Sequence, residues 1–376
     1  MLPSNSSMRA RVVLVGAGHA HLYTLKRAEA FARRGFELIL IAPENFWYSG
    51  LATGVLGGHY PPALDQVDVG ALARRGGGRF IPDRVAAIEP ARRIVRLASG
   101  REIAYQALSL NLGSEVPLDA IAGAEARGLA VKPVQNLWRL RQELLARAAA
   151  TAGPLRVVVV GGGATGCEVA ANIAELLRRA GAAAQLCLIS GGGRLLESFP
   201  AGAAASVERV LRRRGVEVLH GARVESVEDG RAVLQGGGTR PFDHLVFATG
   251  LRPSALLRAA GLPTDEQGAM LVDRHLRSIG DPRIHGGGDC IALRDRVLPK
   301  IGVFAIRQAP ILFHNLLAAL EDRPRRDFAP QRRWLLILNL GDGTGLLLWD
   351  RFWWRGRAAF RLKDWIDRRF LAEYQD

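Results

Sequence analysis

The sequence predicts an α/β fold built from two strand–turn–helix–strand units, followed by a short C-terminal extension made of a hairpin and a helix. Two observations indicate the units. An apolar run at 12–15 leads into Gly16-x-Gly18, and a second run at 157–160 leads into a turn with three spaced glycines. The extension is indicated by a concentration of tryptophan after residue 330. Continuous apolar strands with helices between them are typical of parallel sheets covered on both faces.

Length and composition set the broad class of the protein. The 376 residues are 48% hydrophobic and 23% charged, which indicates a soluble globular chain of two or more domains. No apolar run approaches the roughly 20 residues that span a bilayer, and the polar start lacks the core of a secretory signal, so we expect a cytoplasmic protein. The net charge of +15 comes almost entirely from arginines scattered along the chain. We therefore expect no nucleic-acid partner.

The cysteines and histidines do not predict a metal site. Cys167, Cys187 and Cys290 lack metal-type and Cys-x-x-Cys spacing, and the histidines outside the first turn show no ligand spacing. We interpret the cysteines as small buried hydrophobic residues. A disulfide between two of them is the alternative.

The first unit is predicted to contain a strand at 11–15, a helix at 19–34 ended by Gly35 and a strand at 36–41. Such a turn directs backbone N–H groups and the positive end of a helix at a pyrophosphate. The third glycine of a Gly-x-Gly-x-x-Gly pattern would fall at His21. His19 and His21 either contact the phosphate or the bound cofactor, or are hydrogen-bonded packing residues.

The second unit carries the complete glycine pattern. A strand at 157–160 precedes Gly161, Gly163 and Gly166, and the helix runs to Arg179, with the next strand at 184–189. The first glycine permits the tight turn, the second allows a pyrophosphate to approach and the third lets the helix pack closely on the strand. Both units are therefore predicted to be Rossmann-like dinucleotide-binding folds.

The C-terminal extension is predicted to be a hairpin of strands 334–340 and 346–349, followed by a helix at 356–374. One face of that helix carries Leu362, Ile366 and Phe370, with Trp365 beside them and basic residues around the polar side. An apolar stripe flanked by arginine and tryptophan suits a helix lying in a membrane surface, or a contact in a homodimer. Packing on the protein's own core is the alternative.

Several further motifs make the chain resemble flavoproteins with two dinucleotide-binding domains, which hold FAD on the first unit and NAD(P)H on the second. The motifs are the segment Trp47–Leu51 through Gly57–Tyr60, Leu108–Ser114, Phe247–Gly250, His285–Cys290, and Pro299–Ala305 with Gln308. The chain is most similar to the pyridine nucleotide-disulfide oxidoreductase-like family often fused ahead of selenide, water dikinase. That family is related to type II NADH:quinone dehydrogenases and sulfide:quinone reductases. It shares the Gly-x-Gly-His-x-His start, so His21 is interpreted as a family variant of the FAD turn.

The resemblance implies domain boundaries and site residues. The FAD domain would comprise 8–118 and 274–330, the NAD(P) domain 119–273 and the extension 331–376. Residues implied for cofactor binding are Gly16, Gly18, His19, His21, Gly113, Gly161, Gly163, Gly166, Gly250, Gly288 and Asp289, the last bonding the ribityl chain.

Three residues are implied near the reacting atoms. Lys300 would stand near the flavin N1–C2 carbonyl side, where it stabilises the negative charge of reduced flavin, or else it is a surface lysine. Glu168 either stabilises the start of its helix or faces the nicotinamide–flavin junction. Gln308 belongs to the helix whose start faces the flavin pyrimidine.

The sequence departs from the family pattern at both ribose positions. The acidic residue that ends the second strand is replaced by Ala42 and Pro43, and either Glu44 or Asn45 could reach the adenosine ribose of FAD. In the second unit the place holds Ser190–Gly193, followed by Arg194, which could attract a 2′-phosphate. The choice between NADH and NADPH therefore stays open.

The resemblance implies an FAD-dependent NAD(P)H oxidoreductase that passes electrons to a quinone or another small acceptor, at the inner face of the membrane if the extension binds lipid. The quinone-site Ala-Gln pair of type II dehydrogenases is replaced by Gly302-Val303, and the paired redox cysteines of sulfide:quinone reductases are missing. Two alternatives remain: a soluble reductase for a protein or selenium-related acceptor, and a flavin redox sensor with negligible turnover.

Overall fold

The computed structural model describes residues 10–150 and 152–375. The polar start of the chain, the first two residues of the predicted first domain and Asp376 lie outside the described residues.

The N-terminal third of the chain begins with a strand, a glycine turn and a helix. The elements are β1 (Arg11–Val15), α1 (His19–Lys26), α2 (Glu29–Ala32), β2 (Glu37–Ala42), β3 (Phe46–Trp47), α3 (Ser49–Leu56), β4 (Gln66–Val67), α4 (Val69–Arg75), β5 (Arg79–Pro82), β6 (Val85–Glu89), β7 (Ile94–Leu97), β8 (Glu102–Ala104), β9 (Ala107–Leu110) and β10 (Ser114–Glu115).

The middle of the chain repeats the strand–turn–helix order. Its elements are α5 (Ala124–Arg127), β11 (Leu129–Ala130), α6 (Asn136–Ala150), β12 (Leu155–Val160), α7 (Ala164–Arg179), β13 (Ala184–Ile189), α8 (Ala201–Arg213), β14 (Val216–Leu219), β15 (Val224–Glu228), β16 (Arg231–Leu234), β17 (Thr239–Pro241), β18 (His244–Phe247), β19 (Arg252–Pro253), α9 (Leu256–Ala259) and β20 (Met270–Val272).

The last third contains β21 (Ile284–Gly286), β22 (Ile291–Leu293), α10 (Gly302–Leu320), β23 (Leu335–Asn339), β24 (Gly345–Trp349), β25 (Phe352–Gly356) and α11 (Arg357–Gln375). Short 3-10 helices lie at Pro62–Asp65, Pro90–Arg92, Leu118–Ala120 and Gly288–Cys290.

Two five-stranded parallel sheets carry the two predicted units. The first has the order β21-β9-β1-β2-β5 and the second β11-β18-β12-β13-β14. Each glycine turn leaves the carboxyl end of a central strand, which is where open α/β sheets bind their ligands. The α/β prediction with two Rossmann-like units is confirmed. Four strands of the first sheet precede the strands of the second sheet in the sequence, and its fifth strand, β21, follows them. The boundaries between the domains stay a prediction.

The helix of the first unit is shorter than the sequence predicts. A single helix at 19–34 was expected, but the chain turns between Lys26 and Glu29 and forms α1 and α2. Gly76, at the end of α4, packs on this break, and a Cβ added there would lie 2.7 Å from the Cβ of Ala28. Tertiary packing at the break therefore overrides the helical pattern.

The C-terminal extension has one more strand than expected. β23, β24 and β25 form an antiparallel sheet, and α11 follows directly. Trp349 pairs with Phe352 across a two-residue turn in which Asp350 has a φ of 58°. Such turns are recognised in sequences by a glycine after the aspartate, and Arg351 stands there instead, so the turn gave no signal.

Helix α10 is the one helix in the described residues long and apolar enough to cross a membrane by length and composition. Leu312 and Leu316 on this helix are fully buried, and its apolar side chains pack in the same core as β1 and α1. We interpret it as a core helix that carries its first turn to the candidate site.

Candidate cofactor and active site

The first glycine turn is built around Asn111, whose role the sequence did not indicate. Gly16 has a φ of +89°, and a Cβ added there would lie 2.3 Å from the Asn111 carbonyl oxygen. A Cβ on Gly18 would lie equally close to Asn111 Oδ1. That oxygen accepts a hydrogen bond from the Ala20 N–H (3.0 Å), and Nδ2 donates to the Gly287 carbonyl (2.6 Å). Asn111 thus joins the turn to the loop before Asp289.

His21 is a hydrogen-bonded packing residue of this turn, the second of the two alternatives that the sequence left for it, rather than a phosphate contact. Its ring is fully buried, with Nδ1 2.6 Å from the Gly16 carbonyl oxygen and Nε2 2.8 Å from Ser109 Oγ. Burial lowers the pKa of His21 to about 4, so the imidazole is neutral at pH 7. Because a carbonyl can only accept, Nδ1 carries the proton and Nε2 accepts from the serine hydroxyl. Both ring nitrogens are therefore engaged within the protein.

The corresponding position of the second turn has no room for a side chain. A Cβ added to Gly166 would lie 1.8 Å from the Gly161 carbonyl oxygen. In the first turn the Gly16 carbonyl is instead hydrogen-bonded by the imidazole of His21. The two turns make the same strand-to-helix connection, but the second requires a glycine at this position whereas the first holds a hydrogen-bonded imidazole there.

His19 lies in an aromatic cluster at the start of α1. Its ring centroid is 4.9 Å from that of Phe46, 5.4 Å from Tyr48 and 5.8 Å from Phe370. Burial lowers the pKa of His19 to about 4, with Asp289 opposing the shift. The ring is thus neutral at pH 7, and a contact with phosphate would be a hydrogen bond without a full positive charge.

The motifs His285–Cys290 and Pro299–Ala305 both contribute to a cavity of about 350 Å³, whose lining includes Asp289, Lys300, Phe304 and Gln308. Lys300 Nζ is shielded from solvent and has no hydrogen-bond acceptor in the described chain. Burial lowers the pKa of Lys300, and the charge of Asp289 opposes that shift. A buried ammonium without an acceptor fits a site that receives an electron-rich ligand, as a flavin carbonyl is.

Asp289 is held by two polar groups from other parts of the chain. Its Oδ2 accepts hydrogen bonds from Lys132 Nζ (2.8 Å) and Ser114 Oγ (2.7 Å). Burial acts to raise the pKa of Asp289, but the charge and hydrogen bond of Lys132 outweigh it and hold the pKa below its ordinary value. The carboxylate is therefore ionised at neutral pH and can accept hydrogen bonds from ligand hydroxyls. The sequence analysis missed Lys132.

Gln308 lines the cavity, but its side-chain oxygen is engaged within the protein. It is 2% exposed, and its Oε1 accepts a hydrogen bond from the Gly288 N–H at 2.7 Å. Gly288 has a φ of +77°, a conformation that favours glycine. Gln308 is therefore a positioning residue that fixes the loop before Asp289, and its expected place near the reacting atoms stays a prediction.

The second glycine turn leaves an open space beside Gly163. Its φ is −79°, and a Cβ added there would meet no atom within 4 Å. Neither backbone conformation nor protein packing requires glycine at this position. A ligand pyrophosphate against the backbone supplies the reason, which is the fit expected for a nicotinamide nucleotide. Gly113 and Gly250, at the two crossover motifs, are equally open.

Glu44, Asn45 and Arg194 are the residues that the sequence indicates near the two adenosine riboses, and they lie in different surroundings. Glu44 and Asn45 are exposed after β2, and Glu44 accepts a hydrogen bond from the Gln135 side chain. The guanidinium of Arg194 donates to the carbonyls of Leu196 (3.0 Å) and Phe199 (2.9 Å), among others in its own loop. Arg194 therefore stabilises the turn, and the expectation that it would attract a 2′-phosphate is wrong.

Glu168 is engaged by the C-terminal extension. Its Oε1 accepts a hydrogen bond from the Asn339 N–H at 2.6 Å. Burial raises the pKa of Glu168 to about 7, and the charge of Lys363 opposes the rise. A carboxyl group with a pKa near neutrality can hold or release a proton at physiological pH.

A buried polar cluster, which the sequence did not predict, joins α11 to the segment around α3. It consists of Tyr48, Asp65, Lys363 and Asp367. Asp367 accepts from Tyr48 Oη (2.8 Å) and from Lys363 Nζ (2.6 Å), and the same Nζ donates to the Gly50 carbonyl (2.6 Å). Asp65 is fully buried, and neither of its carboxylate oxygens has a partner among the described residues.

The three cysteines are buried free thiols, as the sequence predicts. Burial raises the pKa of Cys167 to about 12 and those of Cys187 and Cys290 to about 11. The sulfurs are therefore neutral thiols at pH 7.

The two parallel sheets, each with a glycine turn, and the cavity around Lys300 define an oxidoreductase with one site for a flavin dinucleotide and one for a nicotinamide dinucleotide. The chain belongs to the pyridine nucleotide-disulphide oxidoreductase family, which residues 10–309 match. It is an FAD-dependent NAD(P)H oxidoreductase, and the predicted cofactors are confirmed.

Relatives and solved structures cover most of the chain. An alternative NAD(P)H-ubiquinone oxidoreductase of Arabidopsis thaliana is 28% identical over 391 residues, covering 91% of this chain and 72% of the relative. An NADH dehydrogenase-like protein of Mycobacterium tuberculosis is 30% identical over 297 residues, covering 76% and 73%. The structure of NDH2 from Plasmodium falciparum with NADH has a TM-score of 0.84 at 15% identity and covers 96% of each chain. At that identity the likeness shows the shared fold.

Proposed function

We propose that the chain oxidises NAD(P)H at the second turn, with FAD at the first turn, and delivers the electrons to a quinone at a membrane surface. The observation that carries the proposal is Lys300 Nζ, which has no hydrogen-bond partner among the described residues and shares a cavity with Asp289 at the carboxyl end of the first sheet. The Arabidopsis relative, named as an NAD(P)H-ubiquinone oxidoreductase, supports the choice of a quinone.

The flavin, when bound, accepts two electrons from the nicotinamide and passes them on. The chain's own residues position it. Asp289, kept ionised by Lys132, would accept hydrogen bonds from the ribityl hydroxyls, and Lys300 would supply a positive charge for the negative charge of the reduced ring. Glu168, buried and engaged by the extension, holds or releases a proton on the nicotinamide side.

The extension supplies the proposed membrane surface. In the expected stripe on α11, Leu362 is exposed, as is Trp365 beside it, whereas Ile366 and Phe370 are half-buried. The large apolar residues buried on the helix are instead Leu371 and Tyr374. Packing on the chain itself therefore accounts for the inner face of the helix.

The extension exposes several large apolar side chains. Of the large hydrophobic side chains exposed in the described residues, five lie between 349 and 365: Trp349, Phe352, Trp354, Leu362 and Trp365. Arginines at 351, 355, 357, 361, 368 and 369 accompany them. Exposed tryptophans together with arginines favour an interface with anionic lipid.

The acceptor is tested with the FAD-loaded protein. We expect NAD(P)H oxidation with a soluble quinone to exceed that with thiols or disulfides as acceptors. Flavin that NAD(P)H reduces rapidly, but that no quinone reoxidises, would contradict the quinone and favour a protein or selenium-related acceptor. Flavin that neither NADH nor NADPH reduces within seconds would contradict the enzyme and favour the sensor.

The membrane contact is tested by flotation with vesicles of phosphatidylcholine and phosphatidylglycerol. The double variant Trp354→Ser/Trp365→Ser should lose vesicle binding while keeping its flavin and its thermal stability. Ile279→Ser, an exposed apolar residue outside the extension (42% exposed), is the matched control and should bind as the parent does. If the double variant changes the oligomeric state and leaves vesicle binding intact, the surface is a subunit contact and the membrane proposal fails.

A further inference from the structure

The turn after β13 lacks the carboxylate that usually binds an adenosine ribose, but it is accompanied by another arginine. The segment after β14 runs beside the turn: the Gly221 N–H donates to the Gly192 carbonyl (2.9 Å), and the Ala222 N–H donates to the Ser190 carbonyl (3.0 Å). This pairing brings the side chain of Arg223 over Gly191. A Cβ added to Gly191 would lie 3.3 to 3.5 Å from Arg223 Cγ, Nε and Cζ.

Arg223 is available for a ligand in a way that Arg194 is not. Across residues 10–150 and 152–375, the Arg223 guanidinium has neither an ion pair nor a hydrogen-bond acceptor, and the residue is exposed. By contrast, Arg194 donates to carbonyl groups of its own loop. Sequence proximity to the end of β13 pointed to Arg194, whereas the fold brings Arg223 to the same turn from a different element.

The position of Arg223 is adjacent to the pyrophosphate turn. A Cβ added to Gly162 would lie 2.2 Å from Ser190 Oγ, and the Leu196 N–H donates to the Gly162 carbonyl at 2.8 Å. The end of β13 therefore packs directly on the turn that carries Gly163. In this fold the adenosine ribose lies between these two turns, so its 2′ position points to the residues that follow the second strand.

One acidic group also belongs to this turn. The carboxylate of Glu197 accepts a hydrogen bond from the Gly193 N–H at 3.0 Å and packs against Gly192. Its charge opposes a 2′-phosphate, while its hydrogen bond with the Gly193 N–H fixes it to the backbone of the turn. The turn thus presents an unpaired guanidinium at Gly191 and a backbone-bound carboxylate at Gly193.

We propose that Arg223 binds the 2′-phosphate of the nucleotide and that the chain consequently prefers NADPH to NADH. The inference rests on the proposed binding of NAD(P)H at the second turn. A guanidinium pairs with a phosphate through two parallel hydrogen bonds, whereas it binds a neutral ribose hydroxyl much more weakly. The preference resides in a residue that comes after β14.

The test measures binding of 2′,5′-ADP and of 5′-AMP to the FAD-loaded protein by calorimetry, since the two probes differ only in the 2′-phosphate. We expect the parent to bind 2′,5′-ADP more tightly. Arg223→Ala should weaken that binding by roughly ten- to hundredfold, with 5′-AMP changed less than about twofold. Glu197→Gln should strengthen 2′,5′-ADP binding. Arg231→Ala, an exposed arginine on β16, is the control and should change neither.

Two outcomes would overturn the proposal: equal binding of both probes by the parent, or an equal loss of both in Arg223→Ala. Stopped-flow reduction of the flavin separates this failure from that of the proposed function. If NADH reduces the flavin rapidly in both the parent and Arg223→Ala, and NADPH is no faster, only the assignment of Arg223 is refuted. Failure of both nucleotides to reduce the flavin would remove the function on which it rests.

Discussion

Replacing Asp65 by asparagine should make the protein less sensitive to alkaline pH. Asp65 is fully buried and its carboxylate has no hydrogen-bond partner among the described residues. Burial raises its pKa from 3.8 to about 8, and the charge of Asp367 adds to the rise while Lys363 opposes it. The folded chain therefore keeps this side chain protonated at neutral pH. Asparagine has the size of the neutral carboxyl group and cannot ionise.

The magnitude follows from the two pKa values. Because the folded value is the higher one, the stabilisation is fully present below about pH 4 and is lost as the pH rises through about 8. Each pH unit in that interval corresponds to about 1.4 kcal/mol. The full loss is on the order of 5 kcal/mol of the free energy of unfolding, as an upper bound. The advantage of Asp65→Asn should thus grow by about 1 kcal/mol per pH unit between pH 5.5 and 8.

The assay is urea unfolding of the FAD-loaded proteins, followed by circular dichroism at pH 5.5, 7 and 9. Other titrating groups contribute to the parent and the variant alike, so the difference between them reports position 65. Glu225→Gln, which removes an exposed carboxylate on β15, is the matched control and should differ from the parent by the same amount at every pH. A difference between Asp65→Asn and the parent that does not change with pH would refute the reasoning.

Three further changes test other parts of the structure. Gly163→Val should weaken NAD(P)H binding at least tenfold while the protein keeps its flavin, because the added side chain fills only the space beside the backbone; loss of both cofactors in absorbance and titration measurements would contradict this. Lys132→Met should raise the dissociation constant for FAD by about tenfold or more, since Asp289 loses its charged partner; unchanged flavin affinity on dialysis would remove Lys132 from the site. Leu371→Ala, at a fully buried position of α11, should cost about 2–5 kcal/mol in urea unfolding, against less than about 1 kcal/mol for the exposed Leu362→Ala; equal costs would mean that α11 is not docked as described.

The parts of the site that the sequence predicts are those set by local geometry. Gly166 is required by a contact inside the turn, where an added Cβ would lie 1.8 Å from the Gly161 carbonyl oxygen, and Gly161 itself has a φ of +131°, so the glycine spacing alone identifies the fold. His21 shows the limit of that reasoning. The pattern marks the position, but only the structure shows an imidazole bonded to Gly16 and Ser109.

The parts that the sequence could not predict depend on partners far along the chain. Lys132 and Asp289 are 157 residues apart, and nothing near either one indicates their ion pair. Arg194 illustrates the opposite error, because its position after β13 suggested a ligand while nearby carbonyl groups bind its guanidinium. The sequence does not show that backbone carbonyl groups compete with a ligand for the guanidinium of Arg194.

The hydrogen bond between Tyr48 and Asp367 has a consequence for biosynthesis. The two residues are separated by 319 positions, and α11 covers a segment synthesised near the beginning. Until α11 has been synthesised, Tyr48 and Asp65 lack the side chains that will enclose them. Closure of a contact this distant is entropically slow compared with local folding. A nascent chain can therefore form both sheets early, but the junction around Glu168 and Tyr48 is finished only once α11 has emerged from the ribosome, and until then that surface is open to chaperones and proteases.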